Sequence, residues 1–291
     1  MKEPSPRSSR LALAGAVAAT IMVAGFGFMI GRAMSDGGRG EVSQAVRAPM
    51  PTRAPVLEPG WSGILGRADL IRLAAAAADD ASGGSAVHPD LGRIDGRRFE
   101  LRLPFGCYGP DAETSDTAMG WQYDASDNAL RLRVEPSSWT AQQWLSGDTA
   151  VGVDTIEGFW IIRPWTSSET CPVEKQRAAR SEEPVTLERQ TLALGQIFYS
   201  DGARAGRRDG EPFEATVRIS EDRLEVSGGL TLRISGRISA APGAAPIHCR
   251  QPEPAEQRPL CLVSAVLDEL AIENPASQKT LAIWSLGGRP S

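Results

Sequence analysis

The segment FWIIRPW combines tryptophan and arginine, the residue types that most often carry binding energy at interfaces. If Phe159 and Ile161 face the interior of a strand, Trp160 and Trp165 do not both easily join the same core. Trp160, Arg163 and Trp165 are therefore the candidate binding residues, for a peptide, a glycan or a partner protein. The alternative is that these aromatic side chains pack in the core around a disulfide.

Catalytic and metal-binding motifs are missing from the chain. The two histidines, His88 and His248, have neither a Gly-x-Ser-x-Gly elbow to complete a serine triad nor the Glu-x-x-His spacing of a zinc site. The sequence also lacks the glycine-rich loops that bind nucleotides and the Cys-x-x-Cys pair of redox proteins. We expect no catalytic residue, no metal and no cofactor.

Carboxylates are the one catalytic resource that the composition supplies in quantity, with 36 Asp and Glu residues. Two suitably spaced carboxylates suffice for a glycoside hydrolase, so an envelope glycan hydrolase is the alternative function, although no pair is singled out. In YDASDN, the side chains of Asp124, Asp127 and Asn128 would suit calcium, but no further ligands follow. A turn is the favoured interpretation of YDASDN.

Four cysteines, Cys107, Cys171, Cys249 and Cys261, permit three disulfide connectivities. Cys249 and Cys261 bracket a loop with three prolines, where a bridge would keep two flanking strands in register. The favoured pairing is therefore Cys249 with Cys261 and Cys107 with Cys171. Such bridges persist in oxidising compartments. Zinc is disfavoured because the cysteines lack the short ligand spacing of zinc sites.

The N-terminal region predicts a single transmembrane helix over residues 11–31, because this run has no charge and spans about 30 Å as a helix. This apolar run is longer than the hydrophobic region of a cleaved signal peptide, so we expect an uncleaved signal-anchor in the lipid bilayer. The charge bias slightly favours a cytoplasmic tail at residues 1–10. Gly27 and Gly31 form a small-xxx-small pair that would suit a homodimer.

Beyond the anchor, residues 32–60 read as a linker rich in glycine and proline. Residues 61–291 then form the folded domain, with a possible subdivision near residue 184 inside a polar stretch. Only three of the 31 basic residues are lysine, a bias typical of GC-rich bacterial genomes, so the far side of the membrane would be the periplasm. The net charge of −5 argues against a nucleic-acid partner.

The folded region is predicted to be mainly β. Apolar and polar residues alternate over 99–103, 130–134, 213–219 and 230–234, as in strands with one buried face. Residues 159–162 and 260–267 are apolar on both faces, which indicates central strands. Ser227-Gly228-Gly229 predicts a hairpin turn. We expect an antiparallel sandwich or a partly open barrel of about ten strands.

One or two short helices accompany these strands. Residues 67–81 carry leucines at helical spacing and an alanine run, and Gly83 and Gly84 supply a stop. A second helix is predicted near Ser137 or Ser138, carrying Trp139, Trp144 and Leu145.

These features favour a non-catalytic binding or assembly module of the bacterial cell envelope. It would be a single-pass protein of the inner membrane, with its C-terminal domain in the periplasm and an envelope protein or glycan as partner. The anchor would raise the local concentration of the domain near its partners.

Overall fold

The computed structural model describes residues 63–84, 89–112, 117–172, 191–252 and 257–287, which belong to one compact unit beginning at Gly60. The predicted tail, membrane segment, Gly27–Gly31 pair and linker all lie outside these ranges, as does His88. Within these ranges, no helix combines the length and the apolar character that crossing a bilayer requires.

The principal helix, α1, spans Arg67–Gly83 and confirms the helix predicted over 67–81. It begins after Gly66, whose N–H donates a hydrogen bond to Oδ2 of Asp69 at 3.1 Å. Gly84 caps its C-terminal end with φ of 62°, a left-handed conformation that favours glycine. One face of α1 is buried in the main core through Leu70, Leu73, Ala74, Ala77 and Ala78. A four-residue helix, α2 (Pro89–Gly92), follows.

Eleven strands lie in the described residues, so the fold is mainly β as predicted. Their bounds are β1 Arg98–Phe105, β2 Met119–Asp124, β3 Ala129–Val134, β4 Ser137–Trp139, β5 Val153–Trp160, β6 Leu192–Tyr199, β7 Phe213–Arg218, β8 Leu230–Ile238, β9 Ile247–Arg250, β10 Leu260–Asn274 and β11 Lys279–Ser285.

The larger sheet has eight strands and is mixed. Its order is β1-β8-β10-β6-β5-β4, with β9 and β11 also paired to β10. β6 and β10 run parallel, with Leu192 opposite Cys261, and the other pairs are antiparallel. The prediction of a purely antiparallel fold is therefore wrong at this pair. Three strands intervene between β6 and β10, so no tight turn imposes antiparallel pairing on them.

Strand β10 is the centre of the larger sheet, in agreement with its apolar sequence. Its first part pairs with β9 on one side and β6 on the other, and its second part pairs with β8 and β11. The register shifts between Leu267 and Glu269, where Asp268 forms a bulge. Residue 184 lies outside the described ranges, and β5 and β6 from its two sides pair in this same sheet.

The smaller sheet has three antiparallel strands in the order β2-β3-β7. Trp121 and Leu132 of its inner face enter the same core as Leu232 and Ile234 of β8. Both sheets and α1 therefore bury their apolar faces against one another. The prediction of a sandwich or a partly open barrel remains a prediction at this finer level.

Two local predictions from the sequence are wrong. Ser137–Trp139 forms strand β4 rather than a helix, because Trp139 pairs with Ile156 of β5. Two short 3-10 helices, Ala141–Gln143 and Gly147–Ala150, follow it. Residues 227–229 form a turn closed by the Gly229 N–H and the Val226 carbonyl, but the strands beside it do not pair. β7 pairs with β3, whereas β8 pairs with β1 and β10.

Both predicted disulfides are confirmed. Cys249 and Cys261 are directly opposite each other in β9 and β10, so this bridge joins two strands in register as expected. Cys107 and Cys171 are bonded across a separation of 64 residues. Both bridges indicate an oxidising, extracytoplasmic location for this protein.

His248 lies in β9 next to the Cys249–Cys261 bridge and opposite Leu262. Its Nε2 atom is buried and has no hydrogen-bond partner among the described residues. Burial lowers the pKa of His248 from 6.5 to about 4, because the charged imidazolium would lose its hydration. His248 is therefore neutral in the folded protein at neutral pH.

This burial makes the stability of the protein depend on pH. As pH falls below 6.5 the unfolded chain binds a proton at His248, whereas the folded protein does so only near pH 4. The contribution of His248 to stability is fully present above pH 6.5 and is lost as the pH falls from 6.5 to 4. Below pH 4 both states are protonated, so the contribution no longer changes with pH. Between pH 7 and 5, we expect the free energy of unfolding to fall by about 2 kcal/mol more than in a His248→Gln variant.

Urea denaturation of both proteins at the two pH values measures this difference, and His88 contributes equally to both. An identical pH dependence in the two proteins would contradict the burial of a neutral His248.

Candidate functional site

The FWIIRPW segment covers the end of β5 and the turn after it, and its side chains divide between two faces. Phe159 and Ile161 are buried in the main core, as expected for alternate residues of a strand. Trp160 therefore lies on the opposite face of the sheet, where it is half-buried. Phe159 and Ile161 do face the interior, which is the condition under which Trp160 lies outside the main core.

Trp160 belongs to a cluster of three tryptophans on that opposite face. Its ring centroid lies 5.4 Å from that of Trp139 and 5.7 Å from that of Trp144, and Trp139 and Trp144 are 5.7 Å apart. Such edge-to-face and tilted arrangements are favourable between aromatic rings. Trp160 is therefore partly a packing residue, although these tryptophans form their own cluster away from the main core.

An apolar cavity of about 380 Å³ opens beside Trp160. It lies where β1 ends, β2 begins and β5 ends, and Phe105, Met119 and Ile162 form much of its apolar wall. Arg163 and Glu135 supply charged groups to the same cavity. Its volume and its mostly apolar lining are typical of pockets that bind a small molecule or a side chain of a partner.

The Cys107–Cys171 bridge lies at the wall of the cavity, which Cys107 and Pro172 both line. The turn at Gly229 is packed against this bridge, with φ of 75°. A Cβ atom at Gly229 would lie 2.5 Å from Sγ of Cys171 and 2.8 Å from the carbonyl oxygen of Phe105. Glycine is therefore required at Gly229 by both backbone conformation and space.

Two aromatic side chains are strongly exposed near the site. Tyr108 lines the cavity and is 68% exposed. Trp165 is 64% exposed and follows Arg163 by two residues, but it is not among the residues that line the cavity. The structure thus brings Trp160 and Arg163 together at one cavity and places Trp165 on the adjoining surface.

Arg67, the first residue of α1, stabilises the turn after β5. Its side chain is buried, with only 1% exposed. Its Nε donates to the Thr166 carbonyl at 3.0 Å and its Nη2 to the Arg163 carbonyl at 3.0 Å. Nη2 also donates to the Ile162 carbonyl, and Nη1 donates to the Arg102 carbonyl at 3.4 Å. One guanidinium therefore joins β1 to three residues of this turn.

Burial is the main reason why the pKa of Arg67 falls to about 10, and repulsion from Arg163 adds to the effect. The group still carries its charge at neutral pH. Arg163 itself has φ of 52°, and its Nη2 donates to the Thr170 carbonyl at 2.7 Å. A non-glycine residue in this conformation indicates a turn that its surroundings define closely.

Sequence reasoning missed Arg67 and Tyr108. Arg67 stands at the first position of an amphipathic helix, where arginine is ordinarily exposed, so its sequence context carries no sign of burial. Tyr108 lies three residues after Phe105, the last residue of β1, and the sequence around it carries no pattern that indicates a cavity.

Several carboxylates on the outer face of the larger sheet form ion pairs with arginine. Arg233 lies 2.9 Å from Glu269 and 2.6 Å from Glu273, and Arg102 lies 2.5 Å from Glu100. A general acid needs a raised pKa. Among the described residues, each carboxyl group whose pKa is displaced has it lowered: these are Asp124, Asp154 and Asp222.

YDASDN forms a turn. Oδ1 of Asp124 accepts hydrogen bonds from the Ser126 N–H at 3.0 Å and the Asp127 N–H at 3.3 Å. Within the described ranges, no group of three or more His, Cys, Asp or Glu side chains is arranged to hold a metal ion.

Comparison with known proteins finds no similarity. No family model, no curated protein and no solved structure matches this chain. The function is therefore inferred from the site alone.

Arg67 should be essential for the order of the turn after β5. In Arg67→Met the carbonyls of Ile162, Arg163 and Thr166 lose their hydrogen-bond donor. We therefore expect the free energy of unfolding to fall by about 3 kcal/mol. Backbone hydrogen exchange over 161–170 should accelerate. Arg72→Met is the matched control on the same helix, because Arg72 is half-exposed and forms a surface ion pair with Asp69 at 3.3 Å.

Hydrogen exchange measured by mass spectrometry compares the two variants. Unchanged protection over 161–170 in Arg67→Met would contradict the role assigned to Arg67.

Proposed function

We propose that this protein is a membrane-anchored, periplasmic binding or assembly module of the bacterial cell envelope. In this proposal residues 11–31 span the inner membrane, residues 32–60 form the linker and the β-rich domain binds a partner in the periplasm. The two disulfides support the compartment. The apolar cavity beside Trp160 and Arg163 supports binding, and it is the observation on which the proposal depends.

The cavity is better suited to binding an apolar side chain of a partner protein than to catalysis. Phe105, Met119 and Ile162 offer apolar contact, and the exposed ring of Tyr108 lies at the same cavity. Arginine beside aromatic residues is enriched at protein interfaces, because the guanidinium binds backbone carbonyls and carboxylates. Trp165 would extend the contact over the adjoining surface.

Rigidity strengthens this proposal. The Cys107–Cys171 bridge and the buried guanidinium of Arg67 fix two walls of the cavity before any partner arrives. A preformed site loses less conformational entropy on binding, so a modest contact area is enough to give a stable complex. Confinement of the domain near the membrane would further raise its effective concentration toward neighbouring envelope proteins.

The hydrolase alternative stays a prediction that the described residues do not favour. Glu269 and Glu273 share Arg233 in ion pairs and lie on an outer sheet face. Homodimerisation through Gly27 and Gly31 is likewise a proposal about a segment outside the described ranges.

The orientation of the chain can be tested with alkaline phosphatase, which is active only in the periplasm, fused after Ser291. We expect phosphatase activity, because the proposed anchor delivers the C-terminal domain across the membrane. A β-galactosidase fusion at the same position is the control and should be inactive. The reverse pattern would contradict the proposed location.

Partner binding at the cavity can be tested by replacing Tyr108 with a photoreactive benzophenone amino acid. We expect a discrete cross-linked adduct in cells. Val151, which is 72% exposed and does not line the cavity, is the matched control position. The adduct should disappear when Ala118→Trp is added, because Ala118 lines the cavity and a tryptophan there would fill it.

An equal adduct from position 151, or an adduct that survives Ala118→Trp, would contradict binding in the cavity. Because Ala118 is exposed, we expect no large loss of stability in Ala118→Trp, and circular dichroism checks that the variant is folded.

A further inference from the structure

Strand β4 ends the larger sheet on one side, and it is much shorter than its neighbour β5. β4 has three residues, Ser137–Trp139, which pair with residues 156–158 of β5. Continuing this register would place Glu135 opposite Trp160. Glu135 instead donates its N–H to the Ala118 carbonyl at 2.7 Å, at the margin of the smaller sheet. Within the described ranges, no strand therefore lies beside Trp160 on the β4 side.

The backbone of Trp160 is directed toward this open position. In antiparallel pairing, the N–H and C=O groups of successive residues point to opposite sides of a strand. The Ile161 N–H donates to the Leu192 carbonyl at 2.8 Å, on the β6 side. The N–H and C=O of Trp160 consequently point to the other side, as do those of Gly158, which pairs with Ser137.

The apolar cavity occupies this same position. Trp160 and Ile162 line it from the end of β5, Ser137 lines it from the start of β4, and Glu135 lines it from the segment that leaves the larger sheet. The cavity therefore lies where a further strand beside β5 would run. A ligand in the cavity would meet both the apolar wall and the backbone edge of β5.

The other two strands that reach the cavity, β1 and β2, are covered by the chain itself along their outer edges. Leu65 and Arg67 form hydrogen bonds to the outer edge of β1. The Asp111 N–H donates to the Trp121 carbonyl at 2.9 Å on the outer edge of β2. Folded proteins commonly cover sheet edges in this way, because an open edge accepts a strand from another chain. The end of β5 differs from both.

An extended peptide matches both features of this site. As an added strand it would pair its backbone with the N–H and C=O of Trp160, and one of its side chains would enter the apolar cavity. A purely apolar small molecule would displace water from these backbone groups and offer no hydrogen bond in return. A helix already uses its interior backbone groups within itself.

We propose that the partner binds as an extended peptide, which pairs with Trp160 as an added strand and places one apolar side chain in the cavity. The peptide takes the position that β4 leaves open. This inference rests on the proposed function, because it describes how a partner is bound at the same cavity.

The test selects binders from a phage-displayed library of random heptapeptides, with the full-length protein in lipid nanodiscs as the target. Counter-selection against Ala118→Trp, in which the cavity is filled, retains the cavity-dependent peptides. The affinity of the synthesised peptides is measured by fluorescence anisotropy. We expect a loss of about tenfold or more in Ala118→Trp. Val151→Trp, at an exposed position that does not line the cavity, should bind like the unmodified protein.

N-methylation of a selected peptide tests the backbone pairing directly. Each backbone N–H is replaced in turn by N–CH3, which removes one donor and leaves every side chain in place. Methylation at the residue paired with Trp160 should weaken binding about tenfold or more, whereas methylation at the next residue should be tolerated, because its N–H points away from β5. A peptide held by its side chains alone would show no such alternation.

Hydrogen exchange resolved to single residues gives an independent measurement on the protein. The amide of Trp160 should exchange more slowly once a selected peptide is bound, because its N–H then donates to the peptide. The amide of Gly158 is the matched control, since Gly158 already pairs with Ser137 of β4 and should be protected with and without peptide.

Three results would overturn strand addition: no peptide that distinguishes the unmodified protein from Ala118→Trp, equal effects of N-methylation at adjacent residues, or an unchanged Trp160 amide in the complex. A cross-linked adduct at Tyr108 together with any of these results would retain the envelope partner and reject strand addition. Strand pairing by the selected peptides without an adduct at Tyr108 in cells would support this inference and contradict the partner proposed above.

Discussion

Arg67 donates hydrogen bonds from one buried guanidinium to the carbonyls of Arg102, Ile162, Arg163 and Thr166. Removing this charge from water is unfavourable, as its lowered pKa records, and the four carbonyls replace the lost hydration. An arginine on the surface keeps its hydration and does not incur this cost. The guanidinium therefore links the start of α1 directly to the edge strand β1 and to the turn after β5, in addition to the packing of α1 in the main core.

The cavity depends on this arrangement, together with the Cys107–Cys171 bridge. Arg67 fixes the backbone of Ile162 and Arg163 on one side, and the bridge fixes Cys107 and Pro172 on another. Arg67 supplies no surface to the cavity itself, whereas Cys107 of the bridge also lines its wall. Both define a space that the side chains of Phe105, Met119 and Trp160 then line, so the cavity exists before a ligand enters it.

Period-two alternation in the sequence predicted β1, β3, β7 and β8, because each has one buried face. The disulfides were predictable since Cys249 and Cys261 flank a short, proline-rich loop. Pairing between distant strands was not predictable. The parallel pair of β6 and β10, and the separation of β7 from β8 into different sheets, depend on packing between segments far apart in the chain.

The candidate site was predictable only in part, for the same reason. Trp160 and Arg163 are recognisable from composition, whereas Tyr108 and Arg67 reach the site through tertiary contacts that leave no local pattern. The predicted helix at Ser137 fails because the cross-strand partner Ile156 outweighs the local preference of the segment. Local signals therefore identify strands and caps, and long-range contacts decide which residues meet.

The site also lies close to the place where the described chain enters the domain. Leu65 pairs in parallel with Phe99 of β1, its N–H bonded to the Arg98 carbonyl at 2.9 Å, and Arg67 follows two residues later. In the proposed topology the anchor precedes this point. Leu65 and Arg67 thus connect the first described residues of the domain to β1 and to the turn that carries Arg163. The backbone at Leu65 and the guanidinium of Arg67 make these connections by two different kinds of hydrogen bond, one within a strand pairing and one from a buried charge.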